Sequence, residues 1–184
     1  MLDRVQTYLS GGQHALAPYA DRKESLSLSD AFSSIVRHSV YLTKRLPELA
    51  DYLVRYPAAP APQVDSFVYW SKEQLAGRTI VSATHVSILH ASDDSLPEVL
   101  VAGKQIFATR YMSGRLNITT IVRGEAGHRY LAYVNRSRVD LLERWFGGLA
   151  RMVIERRVKG EASEVLQGLR QRLESGEPAA KIIQ

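Results

Sequence analysis

The chain has 184 residues, 45% of them apolar and 23% charged, with a net charge of +5 and a pI near 9.6. That length supports one domain with its own core plus a helical extension, and the charge excess is spread along the chain rather than gathered into a nucleic-acid footprint. With no cysteine, disulfides, thiolate metal sites and a Cys nucleophile are excluded, and no run approaches the ~18 apolar residues of a membrane span.

The N-terminus, MLDRVQTYLSGG, carries no apolar core of signal-peptide type. The chain therefore reads as soluble, and as cytoplasmic as written; a removed signal peptide would make it periplasmic. Leu2, Val5, Tyr8 and Leu9 fall at helical spacing, and Gly11-Gly12 stops that segment. Residues 14–28 are mixed and polar and read as a loop. Ser29-Asp30 resembles a helix N-cap. Phe32, Ile35, Val36, Tyr41 and Leu42 then share most of one face. Pro47 suits the first turn of a second helix, 48–55, which offers Leu49, Leu53 and Val54 to a core. Residues 29–56 thus predict a helical hairpin or a kinked helix. The PAAPAP run at 57–62 is an extended connector. It divides a helical extension, 1–62, from an α+β domain, 63–184. The helical arm is expected to pack back on the following sheet, covering an end or an edge.

The period then changes to that of strands. Phe67 to Trp70 is a short aromatic run, with a helical turn expected over 71–76. Thr79 to Ala91 alternates as a strong strand. Val99 to Met112 follows, bent or bulged at Gly103, with a hairpin turn at Ser113-Gly114. Strands over 115–123 and 128–135 complete the series. The connections are too short for parallel crossovers. The expected sheet is a curved antiparallel meander of four or five strands. From Asp140 the period becomes helical, with Leu142, Trp145, Phe146, Leu149, Met152 and Val153 on one stripe. Asp140 with Glu143 resembles a capping box. The fold class is α+β: the meander packed on a long C-terminal helix, with helices before it.

Helix, antiparallel meander, then a long closing helix is an order that resembles the START-like, or helix-grip, superfamily. The stretch YLAYVNRSRVDLLERWFGGL, Tyr130 to Leu149, is similar to the strand-to-helix transition that closes such domains. The resemblance implies a lipid, sterol, polyketide or other hydrophobic ligand held between sheet and helix; some members are cyclases or hydrolases.

Candidate site residues are polar groups set inside runs that otherwise favour burial. His85 lies mid-strand among apolar neighbours and can orient a ligand or serve as a base. Lys104 and Arg110 share one parity of their strand, Gln105 and Tyr111 the other. A cation on a covered face needs a partner, and a ligand carboxylate or phosphate would be one. Asn117, Arg136 and Trp145 complete the candidate ligand-binding set. Each has a plainer reading: a satisfied core histidine, solvated charges, a packing tryptophan. The five histidines form no metal-site spacing. No phosphate-binding loop or nucleophile elbow occurs, so no cofactor is expected. Seven basic residues against three acidic ones over 136–159 suit a peripheral approach to an anionic membrane, and equally an ordinary solvated helix face. The favoured function is binding or transport of a hydrophobic small molecule or lipid. The alternatives are an enzyme using His85 with Tyr111 or Asn117, and a cavity-free adaptor.

Overall fold

In a computed structural model, five strands form one antiparallel sheet in chain order: β1 (Val64–Leu75), β2 (Arg78–His90), β3 (Val99–Ala108), β4 (Met112–Arg123) and β5 (Arg129–Val139). The structure describes residues 1–18, 27–59, 63–75, 78–90, 97–109 and 112–139, and helical residues at 167–168, 170–172 and 174–175. The chain divides into two compact units, Met1–Asp140 and Leu141–Gln184. In the second, Arg170 and Glu174 form an i,i+4 ion pair at 2.8 Å. Most of the expected helix over 141–173, including Trp145 and Gly147-Gly148, lies outside the described residues.

Four helices precede the sheet: α1 (Leu2–Gly11), α2 (Leu28–Arg37), α3 (Val40–Arg45) and α4 (Pro47–Arg55). The expected hairpin over 29–56 is three helices. Ser27, not Ser29, caps α2 by accepting from the Asp30 N–H; Ser29 itself is buried. Pro47 occupies the first turn of α4 as its locked φ favours. These helices cover a face of the sheet rather than an end or an edge. Phe32, Val36, Leu42, Leu49 and Leu53 make one cluster with Leu100, Ala102, Leu116 and Ile118. A second cluster joins Tyr8, Leu16 and Leu28 to Ala83 and Ile106. Each fully buried Leu or Phe contributes roughly 1.5–3 kcal/mol, so the packing of these helices stabilises the sheet.

The strands depart from the expected bounds in three places. Residues 71–75 continue β1 instead of forming a helical turn, because every one of them pairs with β2, Ser71 with Ser82 and Leu75 with Arg78. The bulge falls between Gln105 and Phe107, opposite Ala83 and Thr84, not at Gly103. Gly103 pairs regularly with Val86 and Asn117. Ser113-Gly114 belongs to β4 rather than to a turn. Gly114 lies where an added Cβ would press on Ile35 and Ala31 of α2, so the glycine serves helix–sheet contact.

Direct register partners point to one face. The helix-covered face therefore holds Val68, His85, Lys104, Leu116 and Arg136; the other holds Thr84, Gln105, Gly103 and Asn117. Arg115 of β4 reaches Glu73 of β1 at 3.4 Å on that second face. Two strands intervene, separating β1 from β4 by ~14 Å, so this pair links the two strands across that face. No helix among the described residues is long and apolar enough to cross a membrane.

Candidate functional site

Residues from α1, α4 and three strands meet at His85. The ring is 1% exposed, and Lys104 lies directly opposite it on β3. Tyr8, on the inward face of α1, places its hydroxyl 2.8 Å from His85 Nδ1. Tyr56, just after α4, sets its ring 4.5 Å from the imidazole and stacks on Tyr8 at 5.2 Å. Tyr52 closes the group at 6.2 Å from His85. Gly12 allows this approach. Its φ of +70° suits only glycine among unstrained residues, and an added Cβ would collide with the Tyr56 carbonyl oxygen.

Lys104 finds its partner inside the protein. Its Nζ donates to the Leu53 carbonyl oxygen at 2.6 Å, in the last turn of α4, where backbone carbonyls lack helical partners. The amine also lies 4.4 Å from the centroid of the Phe32 ring and 5.1 Å from that of Tyr8, a cation–π arrangement. Burial pulls its pKa down to about 7. Burial, and then the Lys104 charge, hold His85 near 4, so the imidazole is neutral at physiological pH. Burial likewise raises the Tyr8 hydroxyl, which stays protonated.

The other ring nitrogen of His85 is the odd atom. Nε2 is buried and has no hydrogen-bond partner among the described residues. The ring lines a cleft of about 480 Å³ between α1 and the β1–β2 edge. Met1, Leu2, Val5 and Leu9 form one wall; Val68, the register partner of His85, and Trp70, on the same face of β1, form the other. Trp70 is 64% exposed and Leu2 73%. Met1, Leu2, Leu9 and Trp70, four of the twelve exposed large apolar side chains among the described residues, stand around this cleft, whereas isolated surface apolars elsewhere are ordinary.

The residues expected from the sequence separate. His85 and Lys104 come together. Gln105 and Asn117 lie on the opposite face, so His85 and Asn117 do not converge. There both polar side-chain atoms of Gln105 and Oδ1 of Asn117 are buried without hydrogen-bond partners among the described residues. Arg136 is exposed on β5, opposite Leu116. Arg110, Tyr111 and Trp145 lie outside the described residues. Tyr8, Tyr52 and Tyr56 were not expected. The one available signal was Tyr8 on the same helical stripe as Leu2 and Val5, an aromatic with a polar tip on a face bound for burial. No group of three or more His, Asp or Glu among the described residues could hold a metal ion. No family model, curated protein or solved structure matches the chain.

Proposed function

We propose that the protein binds a hydrophobic small molecule in the cleft between α1 and β1–β2. The observation that carries this reading is a cleft of about 480 Å³ with apolar walls and one buried imidazole in its lining. Ligand sites are commonly apolar concavities with a few placed polar groups. The ligand class is the one expected from the sequence. The site moves to the α1 side, because most of the 141–173 helix, the other wall of the expected sheet–helix cavity, lies outside the described residues. A hydrolase or cyclase is less well supported, since His85 is paired with a tyrosine and not with a carboxylate.

The chain has two tryptophans, Trp70 and Trp145, so Trp145→Phe leaves Trp70 as the reporter. Titration of that variant with 2-nonanone should change Trp70 emission saturably. Leu2→Asp and Leu9→Asp, both at exposed cleft positions on α1, should weaken binding by roughly tenfold or more, since each places a charge in an apolar wall, without lowering the melting temperature. The absence of a saturable change, or full affinity in both Asp variants, would remove the cleft as the site.

A further inference from the structure

Phe67 and Tyr69 stand on the face of β1 opposite to Val68 and His85, and both are exposed, at 52% and 44%. β1 is an edge strand of the sheet. Its 12 residues pair with β2 in unbroken register, so no bulge turns the strand aside. On its outer side no strand lies beside it among the described residues, and that side presents a row of unpaired N–H and C=O groups. Open edges are usually blunted by charge, proline or a bulge. β5, the opposite edge, is blunted by charge: it carries Arg129, Arg136 and Arg138 and no acidic residue. The centre of β1 has no such protection. Ser66 to Ser71 reads SFVYWS, without charge, proline or glycine. Asp65, Lys72 and Glu73 flank it.

We infer that the protein forms a symmetric dimer by antiparallel pairing of β1 with β1 of a second copy. A row of open ladder groups is matched by another extended backbone, and a two-fold axis sets one strand against itself. Opposed residues share a face, so the axis passes through a residue of the strand. Centred on Val68, the pairing sets Phe67 against Tyr69 of the second copy, and Tyr69 against its Phe67. These two rings lie 6.5 Å apart within one chain, and the dimer extends them into a row of four. On the other face Val68 meets Val68, and Trp70 meets Ser66, a side chain small enough to lie beside the indole. Asp65 meets Ser71, and Lys72 meets Val64. Centring on Tyr69 instead would oppose Asp65 to Glu73, two acids. Centring on Trp70 would set Glu73 against Phe67 and Lys72 against Val68; centring on Phe67 would pair only residues 64–70. The strand is thus complementary to itself in one register, aromatic to aromatic with like charges kept apart. The dimer does not rest on the cleft reading, because Phe67 and Tyr69 face away from His85.

The test uses the full chain in sedimentation equilibrium over about 1–100 μM, the range that suits a small interface. The mass should rise towards twice 20.6 kDa. Tyr69→Lys, at an exposed position, sets a charge against Phe67 of the second copy and should raise the dimer Kd roughly tenfold or more. Phe67→Glu should act alike. The double variant Phe67→Glu/Tyr69→Lys opposes an acid to a base twice across the axis and should recover most of that loss. Because the chain has no cysteine, Val68→Cys reports the register directly. Opposed Cβ atoms in such a pair lie about 4.5–5.5 Å apart, so mild oxidation should join two copies, and Ala132→Cys, exposed on β5, should crosslink far more slowly. A single-copy mass at every concentration would overturn the dimer. A dimer unmoved by Tyr69→Lys, or crosslinked through Ala132→Cys as readily as through Val68→Cys, would overturn β1 as its interface. A double variant no tighter than Tyr69→Lys would overturn the register centred on Val68. Should Tyr69→Lys fail to fold, the two cysteine variants decide alone.

Discussion

His85 and Lys104 show how burial turns two ordinary side chains into liabilities that the fold must satisfy. The unfolded His85 takes its proton near 6.5, the folded one only near 4. Its contribution to stability is complete above about 6.5 and is lost as the pH falls towards 4, by up to about 3 kcal/mol. Lys104 acts in the same direction higher up: its unfolded form protonates near 10.5 and its folded form only near 7. Denaturant melts at pH 8, 6 and 4 should therefore show a progressive loss, and His85→Phe should flatten the part between 6 and 4. A slope unchanged in that variant would mean that His85 does not drive it. Lys104→Met removes the charge opposite the imidazole, and the His85 pKa should rise; an NMR titration that finds it unmoved would separate the two residues electrically.

At the scale of elements, α1 is placed by its end. Gly12 and Gly127 both have positive φ, +70° and +78°, yet their surroundings differ. An added Cβ at Gly127 meets nothing within 4 Å, whereas at Gly12 it collides with the Tyr56 backbone. Gly127→Ala should cost about 1 kcal/mol from backbone strain alone. Gly12→Ala should cost about 2 kcal/mol more, and should loosen ligand binding by shifting α1 away from β1. Equal denaturation midpoints for the two variants would show that α1 does not depend on that close approach. The two glycines are indistinguishable in sequence, since both simply end a segment. The same limit explains β1: Ser71, Lys72, Glu73 and Gln74 have no strand-like composition, but pairing with β2 overrides weak local preference.

Across the Met1–Asp140 unit, sheet and helices share one core, so the connector at 57–62 joins parts that depend on each other. A chain beginning at residue 63 would expose Leu100, Ala102, Leu116 and Ile118, which now pack on Phe32, Leu42 and Leu53. Circular dichroism of that fragment should show no cooperative melt; a sharp transition would make it an independent domain. The antiparallel meander was legible because its connections are short and its strands alternate, both local properties of the chain. The amphipathic stripes of α1, α2 and α4 were legible for the same reason. Which face of the sheet those stripes cover was not, because a stripe states only that it must be buried and not against what. The parity rule put His85 and Lys104 each on a definite side of its own strand. That they meet came from the register, and a one-residue change in β3 would have parted them. By itself, then, the sequence determined the element types, the α+β class and the need for a partner at each inward polar group. Only the tertiary structure decided the partners, Leu53 for Lys104 and Tyr8 for His85, because each contact joins residues 51 and 77 positions apart, a separation over which local pattern carries no information.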